Sequence, residues 1–375
     1  MRNAGALILG TTNCPEFLMA YETDNRLYGR TSNPWDLTRT AGGSSGGESA
    51  AIAAGLSAGG LGSDGGGSVR EPAHFTGICA MKPTPGRIPT AGHLPDSTGP
   101  FALLGTVGPM ARTMADVTLL FRVLSGALDI DPIAAPVPFR PISTEALKKS
   151  RIGYFEDDGL VPVTAETRHA VQDAVHSLRH HGFHVEPFRP QSLERARKLW
   201  YTFFVRCGAM LLEPRGHESG LSPTFLNFLS IAHTQPPLAA DELLAAWCET
   251  DLVRSRLLTE MRDFPVLLSP VCSIPAFRHG ERSWTLHDAS GAQHPVAYLD
   301  AMRFTQWFNL LGSPATVVPI SRSAEDLPIG LQLAGRPYAD EQVLAIAAVL
   351  EQDFGYTAPP IGSCATGSIL PSRKI

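Results

Sequence analysis

The sequence predicts a layered α/β fold, and three observations support this prediction. A helical pattern at 165–181 lies between short apolar strand patterns at 151–155 and 183–186, an order typical of helices layered on a sheet. Further short apolar runs near the C-terminus are predicted as buried strands: Pro265–Pro270, Pro314–Pro319 and Ile329–Ala334. The chain has 375 residues, 43% hydrophobic and 18% charged, which supplies enough apolar side chains for a large core.

The remaining elements follow from local signals. The apolar run Ala4–Leu9 is predicted as a buried strand. Residues 113–116 read TMAD, a capping box that predicts a helix to Leu124, closed by Gly126. The Pro-rich segment 127–150 is predicted as a surface connection.

The second half of the chain is predicted to be mainly helical before its last strands. Residues 192–264 are apolar and helical in pattern, with breaks at Pro214 and at Pro236-Pro237. Asp340 is predicted to cap a final helix that continues to about Leu350.

Composition excludes several classes of function. The net charge is −5 and basic residues do not cluster, so nucleic-acid binding is unsupported. No apolar stretch reaches about 20 residues, so we expect no membrane span. The six cysteines are scattered without a C-x-x-C pair, which favours a reducing cytoplasm and no zinc site. His169, His176 and His180 are expected to face solvent rather than bind a metal, and we expect no cofactor.

The Gly/Ser-rich segment 41–70 carries the chemistry. Ser44 and Ser68 lie 24 residues apart, each among glycines. The run DGGGS at 64–68 can direct several backbone N–H groups to one point, as a developing oxyanion requires. A flexible linker would lack the apolar helical pattern at 48–56, which Ser45 is placed to cap. We therefore predict a serine-based acyl-transfer enzyme with Ser68 as nucleophile.

Two other serine motifs are weaker. Residues 42–46 formally match the G-x-S-x-G elbow of α/β-hydrolases, but that elbow follows a strand and residues 29–36 are turn-like. No S-x-x-K occurs, so a β-lactamase-type Ser–Lys pair is unsupported.

The motifs together resemble the amidase signature family. The matching elements occur in order from about residue 5 to residue 350, which is more specific than any single motif. They are GTTNCPEF at 10–17, GGSSGGE at 42–48, DGGGSVR at 64–70, the G-I-x-x-x-K-P-T element at 77–84, NLLGSPA at 309–315 and LPIGLQ at 327–332.

The resemblance implies a Ser-Ser-Lys triad. Ser68 would form the acyl-enzyme, and Ser44, following a cis bond to Gly43, would bridge it to a lysine base. The N–H groups of Gly65, Gly66, Gly67 and Ser68 would form the oxyanion hole. Ser45 would bind on the substrate side, with Asp64 and Arg70 in support.

The resemblance also implies one amidase-signature domain over 1–375, with a mixed sheet layered between helices. Its signature core would cover about 5–125 and a substrate-shaping helical region about 190–264. Apolar side chains of that region would favour a small amide with a hydrophobic portion, although packed helices would show the same residues: Trp200, Phe203, Phe204, Met210, Leu211, Leu212, Phe225 and Phe228.

The sequence departs from the family at the lysine. None of the 43 residues before Ser44 is a lysine, and Lys82 follows the nucleophile. A truncated enzyme and a true lysine-less form compete, and we favour truncation and expect little activity from the sequence as it stands. A non-catalytic amidase-like protein and an amidotransferase A-type subunit with a partner are the alternatives, and a homodimer is left open.

Overall fold

The computed structural model describes residues 1–213 and 220–360, and its centre is an eight-stranded mixed sheet. The order across the sheet is β1-β3-β2-β7-β8-β6-β4-β5. Strand β4 pairs in parallel with both β5 and β6, and every other pairing in this sheet is antiparallel. The predicted α/β fold is confirmed. The strands are β1 Gly59–Asp64, β2 Cys79–Lys82, β3 Thr106–Ala111, β4 Arg151–Tyr154, β5 His184–Pro187, β6 Val266–Pro270, β7 Ala315–Arg322 and β8 Pro328–Gly335.

Helices cover both faces of the sheet. A π-helical turn at Thr202–Cys207 joins α7 to α8, and a hairpin at Ser283–His287 and Gln293–Ala297 lies outside the main sheet. The helices are α1 Gly46–Ala53, α2 Arg70–Thr76, α3 Gly99–Leu104, α4 Met114–Leu124, α5 Thr144–Leu147, α6 Ala165–His180, α7 Leu193–Tyr201, α8 Gly208–Leu212, α9 Pro223–Ala232, α10 Ala240–Glu260, α11 Tyr298–Ala301, α12 Arg303–Leu311 and α13 Asp340–Asp353.

Alternate side chains of the central strands enter different cores. Val317 of β7 belongs to the cluster that contains Ala73 of α2. Its neighbour Val318 belongs to the cluster that contains Val343 of α13. Because successive strand residues point to opposite faces, both faces of β7 are apolar and both are covered by helices. Within the two described ranges, no helix has the length and apolar character needed to cross a membrane.

Several local predictions are confirmed. Helix α4 ends at Leu124, and the backbone N–H of Asp116 donates to Thr113 Oγ1 at 3.1 Å, as the capping box predicts. The break at Pro236-Pro237 lies between α9 and α10. His169, His176 and His180 are exposed on α6. Pro214, Cys364 and Lys374 lie outside the described residues.

The predicted strand at Ala4–Leu9 is wrong. Arg2–Ala4 forms a short 3-10 turn, and Leu7 is 88% exposed. An apolar run becomes a strand only where another strand satisfies its backbone N–H and C=O groups. In the part of the chain that the structure describes, no strand pairs with this run.

Two predicted helix caps are also wrong. Asp340 is the first residue of α13, and its carboxylate accepts bonds from Thr84 N at 2.9 Å and from Thr84 Oγ1 at 2.7 Å. The Arg87 guanidinium lies 3.2 Å from the same carboxylate. Ser45 does occupy the N-cap position of α1, but its side chain makes no capping bond. In both cases the side chain bonds a residue elsewhere in the sequence instead of the backbone N–H groups at the start of the helix.

Candidate active site

Ser68 lies in the loop that joins β1 to α2. The loop is short, because β1 ends at Asp64 and α2 begins at Arg70. Gly67 has φ +130°, a backbone conformation that favours glycine, and a Cβ there would lie 2.5 Å from Thr305 Oγ1. The glycine next to Ser68 is therefore required by both conformation and space.

A buried ion pair fixes the two ends of this loop. Asp64 and Arg70 are both fully buried, with Arg70 Nε 3.0 Å from Asp64 Oδ2 and Nη2 2.9 Å from Oδ1. Arg70 also donates to Thr305 O, Asn309 Oδ1 and Gln332 Oε1. Burial opposes ionisation of Asp64, but the Arg70 guanidinium outweighs it and lowers the pKa of that carboxyl. The pair thus ties the C-terminal motifs that carry Asn309 and Gln332 to the loop.

Side chains from distant elements hold the first two carbonyls of the loop. Asn309 Nδ2, on α12, donates to Asp64 O at 2.9 Å. Trp200 Nε1, on α7, donates to Gly65 O at 2.8 Å. Each carbonyl is thereby directed toward the protein interior.

The next two carbonyls are held in the same way. Gly66 O accepts from Tyr21 OH at 2.8 Å and from Thr305 Oγ1 at 2.6 Å. Gly67 O accepts from the backbone N–H of Glu71 at 2.7 Å, in the first turn of α2. The whole peptide chain from β1 to α2 is therefore oriented by named donors.

The orientation of the carbonyls fixes that of the N–H groups. In a planar trans peptide the N–H of the next residue points away from the preceding C=O. The Gly67 N–H, also predicted for the oxyanion hole, donates to Asp64 Oδ1 at 2.7 Å. The N–H groups of Gly65, Gly66 and Ser68 have no acceptor among residues 1–213 and 220–360.

Ser44 lies beside Ser68, although 24 residues separate them in the chain. The backbone N–H of the next residue, Ser45, donates to Ser68 O at 3.1 Å, and Ser44 and Ser68 line one cleft. The bond from Gly43 to Ser44 is cis, as the resemblance implied. The Ser45 hydroxyl, predicted for the substrate side, accepts from the backbone N–H of Ser63 at 3.3 Å.

Two clefts meet at Ser68, and both present mainly apolar surface. The serine cleft, of about 500 Å³, is lined by Ser44, Ser68, Asp64, Gly65, Thr90 and His93, among others. The apolar cleft, of about 540 Å³, is lined by Ser68 and by Trp200, Phe204, Phe228, Ile231 and Leu299, among others. An amide carbonyl at Ser68 would therefore have apolar side chains on both sides, with Thr90 and His93 on the side of the serine cleft and Arg282 on the other.

The predicted pocket residues divide into three groups. Trp200, Phe204 and Phe228 line the apolar cleft, as proposed for the substrate pocket. Phe203, Leu212 and Phe225 belong to the packed core of the helical region. Met210 and Leu211 are each 53% exposed on α8.

No lysine within the described ranges lines either cleft. Lys82 is fully buried at the end of β2, where its ammonium donates to Pro83 O at 3.1 Å. Burial, together with the nearby Arg70 charge, lowers the pKa of Lys82 to about 7. The titratable side chains that line the serine cleft are Asp64, paired with Arg70, and His93, which bonds Pro95 O through Nδ1.

Behind the loop lies a buried carboxyl that the sequence did not indicate. Burial raises the pKa of Glu71 well above its usual value. Thr305 Oγ1 has one proton, which the shorter contact gives to Gly66 O. Thr305 Oγ1 also lies 3.3 Å from Glu71 Oε1.

Comparison with known proteins agrees with this geometry. The family model described as Amidase matches residues 1–344. The chain is 32% identical over 365 residues to the indoleacetamide hydrolase of Bradyrhizobium diazoefficiens, covering 96% of this chain and 67% of that protein. It is 32% identical to the A-type subunit of glutamyl-tRNA(Gln) amidotransferase from a Synechococcus strain, covering 96% and 73%. The solved structure of 6-aminohexanoate cyclic dimer hydrolase with its substrate superimposes with a TM-score of 0.82 at 28% identity, covering 96% and 78%. The chain belongs to the amidase signature family, whose enzymes hydrolyse amide C–N bonds.

Proposed function

We propose that this protein cleaves a carboxamide through an acyl-enzyme on Ser68. The observation that carries the proposal is the loop geometry: within the described residues, the N–H groups of Gly65, Gly66 and Ser68 are left without acceptors beside the Ser68 hydroxyl. Such donors stabilise the negative charge that develops on a carbonyl oxygen under attack. Because the Gly67 N–H donates to Asp64 Oδ1, the proposal assigns the oxyanion to the other three donors.

The reaction has two steps. Ser68 Oγ attacks the carbonyl carbon while its proton passes to Ser44 Oγ, and the proton of Ser44 passes to a base. The C–N bond breaks, the leaving amine takes a proton, and the acyl group stays on Ser68. Water then attacks the ester, which releases the carboxylic acid and returns the proton to Ser68.

The group that accepts the proton from Ser44 is not identified in this scheme. The family resemblance assigns it to a lysine, and no described lysine lines the serine cleft. Without a base, Ser68 is an ordinary alcohol and a weak nucleophile. A small amine that diffuses into the cleft can take the proton from Ser44 instead.

The apolar cleft supports a substrate with a hydrophobic portion. Its aromatic lining favours an acyl group of aryl or alkyl character over acetyl. The indoleacetamide hydrolase among the relatives is consistent with such a substrate. We further propose that the protein acts in the cytoplasm, in keeping with its scattered free cysteines.

A fluorophosphonate probe tests the proposal, because it forms a covalent bond with an activated serine. We expect slow labelling that methylamine accelerates, and no labelling of Ser68→Ala. If neither condition labels the protein, the non-catalytic alternative replaces the enzyme.

The amidotransferase alternative rests on the Synechococcus relative of that name. A free amidase hydrolyses simple amides by itself, whereas an amidotransferase component works together with a partner chain. Amide turnover by the isolated chain with methylamine present supports the free amidase. Light scattering on the same sample shows whether that species is a monomer or a homodimer.

A further inference from the structure

Trp200 lies between the substrate cleft and the nucleophile loop. It is 1% exposed on α7, a helix outside the Gly/Ser-rich motifs. Its indole N–H donates to Gly65 O at 2.8 Å, and the same ring lines the apolar cleft. It also stacks on Phe204, with ring centroids 5.0 Å apart and an interplanar angle of 12°.

The hydrogen bond sets the direction of one particular N–H group. Gly65 C=O and Gly66 N–H belong to a single planar peptide unit and point in opposite directions. Since the indole holds the carbonyl on one side, the Gly66 N–H is aimed at the other. A Cβ on Gly66 would lie 2.5 Å from Trp200 Cζ2, so the ring also packs directly against this peptide.

We propose that Trp200 is a positioning residue for the oxyanion site, because its indole N–H orients the Gly66 N–H. The inference rests on the proposed function and adds a residue from the helical region to it. Trp200 touches no reacting atom in this role. It acts through the Gly65–Gly66 peptide, and the same ring forms part of the wall that contacts the substrate.

The variants separate orientation from packing. Trp200→Phe keeps an aromatic ring and removes the donor. Replacement of Trp200 by benzothienylalanine keeps the shape of the indole and exchanges only N–H for sulfur, which guards against a folding defect in the first variant. Phe204→Leu is the matched control, because Phe204 lines the same cleft without donating to the loop.

The experiment measures fluorophosphonate labelling with methylamine present. The half-saturating probe concentration reports probe binding, and the maximal labelling rate reports the bond-forming step. We expect both Trp200 variants to lower the maximal labelling rate about 10- to 100-fold, less than or comparable to loss of an oxyanion donor. Their half-saturating probe concentration should stay within about threefold of wild type. Phe204→Leu should change mainly that concentration. A labelling rate within twofold of wild type in both Trp200 variants would overturn the inference.

A second measurement stands apart from activity. A crystal structure of the benzothienylalanine protein should show the Gly65–Gly66 peptide rotated or in two orientations. An unchanged, singly oriented peptide would overturn the role of Trp200 even if wild type proved unreactive. Failure of wild-type labelling, by contrast, would remove the proposed function and leave the crystallographic result to decide the orientation.

Discussion

His74 is the side chain whose protonation we expect to loosen the helix behind Ser68. It is fully buried on α2. Gly330 N donates to its Nδ1 at 2.8 Å, and its Nε2 lies 3.0 Å from Ile274 O. Nδ1 also lies 3.1 Å from Gly330 O, so both ring nitrogens contact backbone groups, and it is burial that disfavours a second proton on the ring.

The magnitude follows from the pKa. Burial lowers the pKa of His74 to about 4, from 6.5 in an exposed histidine. Below pH 6.5 His74 binds a second ring proton in the unfolded chain but not in the folded one. The free energy of unfolding therefore falls as the pH falls from about 6.5 to 4. Between pH 7 and pH 4.5 this group alone removes roughly 2.5 kcal/mol.

Guanidinium unfolding at pH 7 and pH 4.5 measures this loss. Wild type contains other titrating groups, so the decisive quantity is the difference in pH dependence between wild type and His74→Gln. We expect the variant to be less stable at pH 7 but to lose about 2.5 kcal/mol less on acidification. Equal losses in the two proteins would refute the assignment of a neutral, buried His74.

Three further predictions concern the same region. Burial raises the pKa of Glu71, so the contribution of this carboxyl to the free energy of unfolding should decline as the pH rises above about 4.5, opposite in sign to that of His74. Stability should therefore rise more steeply with pH in Glu71→Gln than in wild type, and equal pH dependences of the two proteins in denaturant titrations would contradict this. A Cβ on Gly65 would lie 2.6 Å from Phe204 Cε2, so Gly65→Ala should slow probe labelling at least tenfold, and Phe204→Ala in the same chain should recover part of the rate. Phe228→Ala should reduce methylamine-assisted turnover of a lipophilic amide more than that of acetamide, and equal losses would remove the apolar cleft from substrate recognition.

Local sequence patterns predicted those features of the protein that depend on residues close together in the chain. The TMAD capping box produced α4 because Thr113 and Asp116 satisfy one another within a single turn. The Gly-rich run at 64–68 predicted a loop with backbone conformations that favour glycine, and Gly67 has φ +130°. The family resemblance, in turn, anticipated the cis bond at Ser44.

The failures share a different cause. Asp340 was predicted as a cap from its position alone, but Thr84, 256 residues earlier, takes its carboxylate. Ala4–Leu9 has the composition of a strand and no pairing strand in the described structure. The Trp200 bond to Gly65 spans 135 residues, and no spacing rule indicates which indole N–H will reach which carbonyl. Such contacts join residues that are far apart in sequence, so a short stretch of sequence does not reveal them.

The proposed chemistry depends on whether the backbone N–H groups around Ser68 receive the negative charge of an attacked carbonyl. Mass spectrometry of the fluorophosphonate-treated protein, with methylamine present, reports on it at the level of a single residue. We expect one adduct, on the peptide that contains Ser68, lost in Ser68→Ala and formed at least tenfold more slowly in Ser44→Ala. An unlabelled protein, or an adduct on any other residue, would be incompatible with Ser68 as the nucleophile.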